Sequence, residues 1–265
     1  MGNLMKSLRL LSNRGKINER ANYRVFCFPH AGGGASFYKK WEEAFDGGVD
    51  LIGVQYPGHF DRIKESPATN IEELTDPICE EIEAYTDIPV VLFGHSLGAL
   101  VAYTISKKLS KPPLLLGVSG RNSPQYTLNT SIHKMDVNDL ILDLYKQGGT
   151  SFDILDNFEA MQLFIPAIRA DYQIAETYVL PSDAKLLDCP ISIFWGEDDK
   201  DIHISAVSDW RFMTKRNFKQ HIFSGGHFYL ESQFKKVVNT LQQDIEKALD
   251  MQNKDYILKN VNRIK

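Results

Sequence analysis

The stretch Gly94-His95-Ser96-Leu97-Gly98 places a serine hydroxyl between two glycines, where the apolar residues 90 to 93 give way to Leu97, Leu100, Val101 and Ile105 at helical spacing. Packing has no need of a serine at a strand-to-helix corner. The flanking glycines provide for a turn that side chains would obstruct. The chemistry on offer is nucleophilic: a hydroxyl presented at the carboxyl end of a buried strand attacks a carbonyl carbon and carries the acyl group as an ester. A serine hydroxyl does this only with help. A base must take its proton, an acid must orient the base, and N–H donors must meet the oxyanion.

When the serine sits on such a turn, the acid and then the histidine follow it in the chain. Of the seven histidines, His30, His59 and His95 precede or adjoin the serine, His133 lies in a helical interval, and His203 follows the acid candidates too closely. His221 falls within a strand-like run. His227 follows Gly225-Gly226 in a loop before the last helix, where an imidazole can reach the serine, and is the expected base. The loop 194 to 201 offers Glu197, Asp198, Asp199 and Asp201. Asp199 has the three-residue spacing from Gly196 that suits an acid loop, with Asp198 as the alternative. One oxyanion donor is the N–H of Leu97; the second is expected from the glycine-rich loop 28 to 36, at Ala31. That loop has neither G-x-G-x-x-G nor a terminal Gly-Lys-Ser/Thr, so it does not read as a phosphate cradle. No two histidines or cysteines stand at ligand spacing on one element, and no metal is expected.

These residues need a scaffold. Strand-like runs occur at 23 to 28, 49 to 57, 89 to 94, 113 to 120, 189 to 196 and 218 to 225, and helical patterns at 70 to 85, 97 to 109, 204 to 215 and 230 to 248. The alternation predicts an α/β fold: a mostly parallel central sheet with helices on both faces. Residues 131 to 180 break the rhythm with short amphipathic helices and no strand, and read as a helical lid with a hinge at the glycine turn 146 to 151. Residues 1 to 20 read as a flexible lead-in, 21 to 250 as the domain, and 251 to 265 as an extension of the last helix.

The chain has 265 residues, 43% of them hydrophobic, and a formal charge of -4, which gives no general attraction to nucleic acid. Cys27, Cys79 and Cys189 are an odd, widely spaced set, which argues against a disulfide framework and for a reducing, cytoplasmic setting. No apolar run approaches membrane-spanning length. No coiled-coil segment is evident, and a monomer is expected.

With the motifs in place, the chain resembles the type II thioesterase family of the α/β-hydrolase superfamily, the stand-alone editing enzymes of nonribosomal peptide and polyketide synthases. The resemblance runs over about residues 23 to 248. It rests on "CFPHAGGGASFYKKW", "FGHSLGALVAY", "SGRNSP", "IPAIRADYQIAETY" and "FSGGHFYL". It implies hydrolysis of acyl thioesters on the phosphopantetheine arm of acyl or peptidyl carrier domains, without a cofactor of the enzyme's own. The family commonly has an arginine after Pro-Gly where this chain has His59 and Phe60. His30, His59 and Arg121 are expected at the substrate or carrier, with Arg121 meeting an acidic carrier surface; Arg169 and Asp171 are expected to form a structural pair. Two other readings remain: release of medium-length acyl chains in fatty acid synthesis, and a noncatalytic docking subunit of a synthase.

Overall fold

A computed structural model describes residues 6–11, 17–147 and 158–261. Seven strands form one sheet: β1 (Leu8–Leu10), β2 (Tyr23–Phe28), β3 (Val49–Val54), β4 (Val90–His95), β5 (Leu115–Ser119), β6 (Ile191–Gly196) and β7 (Phe218–Phe223). Their spatial order is β1-β3-β2-β4-β5-β6-β7, with β1 antiparallel and every other pair parallel. Helices α1 (Ile71–Glu83) and α2 (Leu97–Lys108) pack on one face. The 3-10 segment Ala35–Glu43 and the long C-terminal helix cover the other.

The strands serve both layers because successive side chains point to opposite faces. Phe26, Phe28, Leu92, Ile191 and Ile193 enter the core under α1 and α2, while Val25, Cys27, Val91, Phe93 and Phe194 enter the other. Strands buried on both sides are therefore apolar throughout, which is why the runs were legible without alternation. All three thiols are free and buried. Burial pushes Cys79 up to about 11 and Cys189 to about 12, so neither is poised as a rival nucleophile.

The lead-in expected over residues 1 to 20 needs correction where it is described. Leu8–Leu10 forms the antiparallel edge strand β1, pairing Leu8 with Val54 and Leu10 with Ile52. Leu8 and Leu11 are buried, the Gln55 N–H donates to the Ser7 carbonyl, and Glu81 accepts from the Ser7 N–H. Three residues are too few to show a period, and the sheet edge supplies what the segment lacks by itself.

The insertion contains α3 (Val137–Gln147) and α4 (Phe158–Thr177), joined in a small separate core by Leu140, Leu144, Met161, Ile165 and Ile168. The expected hinge at 146 to 151 lies mostly outside the described residues. After β6 comes the short α5 (Ile204–Ser208), and after β7 come α6 (Tyr229–Ser232) and α7 (Phe234–Val261). No described helix is long and apolar enough to cross a membrane.

Candidate active site

The order of the strands reverses direction at β2 and β4: β3 lies on one side of β2 and β4 on the other. Loops leaving the carboxyl ends of these two strands diverge to opposite faces and open a crevice between them. Ser96 ends one of these strands, and the Pro29–Gly34 loop leaves the other. Ser96 has φ 55° and ψ -116°, a backbone state costly for any residue with a Cβ. The turn holds because nothing larger than glycine fits around it. A Cβ on Gly94 would come within 1.9 Å of the Gly98 carbonyl oxygen, and one on Gly98 within 2.0 Å of that of Phe28. The Ser96 N–H donates to Ser119 at 2.8 Å, anchoring the turn to β5.

The candidate acid and base arrive on the loops after β6 and β7. His227 Nδ1–H donates to Asp199 Oδ2 at 2.8 Å, and a second oxygen of Asp199 accepts the Asp201 N–H at 3.0 Å. Asp199 is buried whereas Asp198 is exposed, so geometry separates the two carboxylates that spacing left open. The loops are locked backbone to backbone: a Cβ on Gly196 would lie 2.2 Å from the Gly225 carbonyl oxygen. With Nδ1 engaged, Nε2 is the nitrogen available to a serine proton. Ser96 and His227 line the same cavity, without a direct hydrogen bond between them among the described residues. Asp201 also brings a carboxylate oxygen close enough that Asp199, Asp201 and His227 have ligand-type atoms within 4.8 Å of one another. The hydrogen bonds of Asp199 already assign its oxygens to the imidazole and the loop.

Behind the base lies a buried polar chain that the sequence did not announce. His95 Nδ1 is 2.9 Å from Ser119 Oγ, which is 2.7 Å from the Tyr229 hydroxyl. The His95 ring stands 4.8 Å from that of His227. Burial, with His227 and His30 nearby, holds His95 well below the ordinary imidazole range. A neutral His95 does not oppose the charge that His227 gains on accepting a proton. A second serine, acid and histidine set, Ser192, Asp244 and His221, has the wrong connectivity. Ser192 Oγ donates to the same Asp244 oxygen that meets His221 Nε2, so the hydroxyl faces the acid rather than a base.

The loop after β2 and the start of α2 offer candidate oxyanion donors. In the loop after β2, the Gly33 N–H donates to the His30 carbonyl and the Gly32 N–H to Asp171 Oδ2. The N–H groups of Ala31 and of Leu97, the first residue of α2, have no partner among the described residues. Both residues line the cavity beside Ser96. The Leu97 N–H also lies at a helix N-terminus, where the dipole favours negative charge.

The cavity measures about 440 Å³ and is walled by His30, Arg121, Tyr126, Ile132, Tyr172 and His203, among others. A hollow of about 730 Å³ lies at the amino ends of the strands, beside Val90, Leu114 and Asn217, away from this chemistry. Of the three expected binding residues, His30 is at the wall, its ring edge-on to Phe37 and Phe228. Arg121 is at the wall too, but buried, with Nη2 donating to the Ala175 carbonyl at 3.3 Å. Desolvation lowers it to about 10. It faces the interior, which corrects the expectation that it meets a carrier surface. His59 is also corrected: 1% exposed, it is absent from the cavity wall and bonds to Asp171 at 2.9 Å. Arg169 and Asp171 do not pair, because residues two apart on a helix diverge. Arg169 instead donates to the His133 carbonyl.

Comparison with known proteins fits this geometry. Residues 23–245 match the family described as Thioesterase domain. The gramicidin S biosynthesis protein GrsT of Aneurinibacillus migulanus is 34% identical over 227 residues, spanning 83% of this chain and 88% of its own length. Thioesterase PikA5 of Streptomyces venezuelae is 34% identical, over 84% of this chain and 80% of its own. Among solved structures, the type II thioesterase BorB from the borrelidin biosynthetic cluster superposes with a TM-score of 0.81 at 32% identity, over 90% of this chain and 97% of BorB. YbtT, a type II thioesterase from the yersiniabactin pathway, also gives a TM-score of 0.81, at 27% identity over 91% of this chain and 99% of YbtT. A match across this span, joined to a serine turn, a paired acid and histidine, and free N–H donors on one cavity, means that this chain belongs to the thioesterase family and has the α/β-hydrolase fold.

Proposed function

We propose that this chain is an editing type II thioesterase, hydrolysing acyl thioesters held on the phosphopantetheine arm of carrier domains in nonribosomal peptide or polyketide synthesis. The observation that carries this is the meeting, on one 440 Å³ cavity, of Ser96, the His227–Asp199 pair and the two unused N–H groups of Ala31 and Leu97. The similarity to GrsT, PikA5, BorB and YbtT supports the pathway class.

In this mechanism Ser96 Oγ attacks the thioester carbonyl carbon as its proton passes to His227 Nε2. Asp199 stabilises the resulting imidazolium, and the oxyanion lies on the N–H groups of Ala31 and Leu97. Collapse breaks the carbon–sulfur bond, and His227 returns the proton to the departing sulfur. A thiol with a pKa of about 8.5 leaves readily, so proton delivery is less demanding here than for an amine. Water, deprotonated by His227, then attacks the acyl-serine; the proton returns to Ser96 and the free acid leaves. The arm belongs to the partner, so the chain needs no cofactor of its own, and it acts as a monomer in the cytoplasm. The buried free thiols support a reducing compartment.

The test compares turnover of acetyl-loaded carrier protein with that of acetyl coenzyme A, using Ser96→Ala as the blank. Faster turnover of the carrier-bound group, lost in the variant, is the expected result. Equal turnover of the free thioester would indicate a small-molecule acyl hydrolase. Turnover confined to medium-length acyl chains would indicate chain termination in fatty acid synthesis, and no Ser96-dependent turnover would leave a docking subunit.

A further inference from the structure

Asp171, on α4, is 2% exposed, and its Oδ2 meets two groups from different parts of the chain. The Gly32 N–H donates to it at 2.8 Å, and His59 Nε2 lies at 2.9 Å. The other ring nitrogen of His59, Nδ1, is 2.9 Å from the Pro57 carbonyl oxygen. A carboxylate and a peptide carbonyl both only accept, so the two contacts are both hydrogen bonds only when each ring nitrogen carries a proton. The geometry is that of an imidazolium, buried against a carboxylate. Gly32, at φ 73°, is the next residue after Ala31, the proposed oxyanion donor. Ile168, one turn before Asp171 on α4, packs where a Gly32 Cβ would stand, at 2.9 Å. The helix that carries Asp171 thus rests directly on the oxyanion loop.

We propose that the His59–Asp171 ion pair is the positioning element of the oxyanion loop: protonated His59 fixes Asp171, Asp171 holds the Gly32 N–H, and the peptide before it is thereby aimed so that Ala31 N–H faces the oxyanion. Neither side chain lines the cavity, so both act through the loop rather than on substrate. The proposal rests on the thioesterase reading for its activity assay, but not for its structural content.

The groups around His59 decide its response to pH. Asp171 faces it from α4. Arg62 lies on its own loop and is held by Glu65, the Gln55 carbonyl and Ser7 Oγ. Tyr56, at the end of β3, has its ring 5.9 Å away; burial keeps its phenol neutral, and it donates to the Pro29 carbonyl. Burial and Arg62 press the imidazole toward its neutral form. The charge and hydrogen bond of Asp171, with the Pro57 carbonyl, outweigh them and raise His59 above its ordinary value. His59 therefore keeps its proton below that raised value and loses it as pH rises through it. Deprotonation leaves a ring lone pair against an acceptor, and one of the two bonds is lost.

The experiment measures kcat and KM for acetyl pantetheine against pH in the wild-type, His59→Arg and Asp171→Asn proteins, with an NMR titration of His59 in the full-length Ser96→Ala protein. The wild type is expected to lose about tenfold in kcat on the alkaline side with little change in KM, as an oxyanion donor drifts. His59→Arg, whose charge persists, removes that limb. Asp171→Asn moves it to lower pH, and the His59 titration coincides with the wild-type limb. An alkaline limb unchanged in His59→Arg, or a His59 that titrates at or below the ordinary imidazole value, would overturn the proposal. If His59→Arg does not fold, Asp171→Asn and the NMR titration decide. Absence of all wild-type thioester turnover would instead overturn the thioesterase reading, while the titration continues to report on the pair.

Discussion

The floor of the cavity and the helices above it hold their residues by different means. On the floor, Ser96, Asp199 and His227 stand beyond the carboxyl ends of parallel strands, on turns where backbone meets backbone at Gly98 and Gly196. Above it, α3 and α4 share a small apolar cluster around Leu140 and Met161 and are tied down by polar contacts of Asp171 and Glu176. Acyl transfer needs the floor fixed to fractions of an ångström, because the nucleophile, base and oxyanion donors act on one carbon. The helices above must admit and release an acyl group on its arm, and a cluster of this size can yield without unfolding the sheet.

Substitutions can break this contrast at either end. Asp199→Asn is expected to have the largest effect, lowering kcat by about 10²- to 10⁴-fold with the fold intact, because the amide no longer holds the imidazole tautomer or its charge. Stopped-flow assay of thioester turnover alongside circular dichroism measures both parts. Next comes Gly98→Ala. Its Cβ would meet the Phe28 carbonyl at 2.0 Å and cannot be relieved by a side-chain rotation. A loss of more than about 3 kcal/mol is expected in denaturant unfolding, with the whole sheet affected. A mild effect would mean that the turn is less constrained than its contacts indicate.

Leu144→Ala, in the upper cluster, should cost about 2 to 4 kcal/mol but locally. Hydrogen exchange is expected to rise in α3 and α4 while protection in β4 and β5 stays the same; a uniform rise would show that floor and lid unfold as one unit. The smallest effect is expected at Glu176, which accepts from Thr130 Oγ1, the N–H groups of Ile132 and His133, and the His133 ring. Burial opposes its ionisation, but these hydrogen bonds outweigh burial and hold it below the usual carboxylate value. Its contribution is present above the unfolded value and is lost as pH falls through the lowered one. Glu176→Gln should weaken protection of residues 130 to 134 by about 1 kcal/mol at neutral pH and flatten their acid response, as hydrogen exchange across the acid range can show.

Much of the site was legible because it is local. Gly94, Ser96 and Gly98 act within five residues, and the order of serine, acid and histidine follows from strands read as apolar runs. The strand β1 was not legible, since Leu8 and Leu10 gain their partners only from β3. Arg121 looked like a surface residue by type alone; its position between the cavity and Ala175 depends on α4, which is distant in sequence. His59 stood out as an unusual residue after Pro-Gly, but nothing near it in sequence named Asp171 as its partner.

The amino-acid sequence alone determined the Ser96 turn and made its serine the candidate nucleophile, because a tight corner is governed by sterics between near neighbours, and glycine is the only residue that removes them. It also singled out His227 as the candidate base, since few histidines follow the serine and only His227 lies in a loop after the last strand. The tertiary structure alone decided which carboxylate faces His227, which N–H groups remain free, and which partner His59 meets. Asp171 and His59 are 112 residues apart. Their meeting depends on how α4 packs across the loops of β2 and β3, and such packing reflects the sum of many weak contacts rather than any one spacing in the chain.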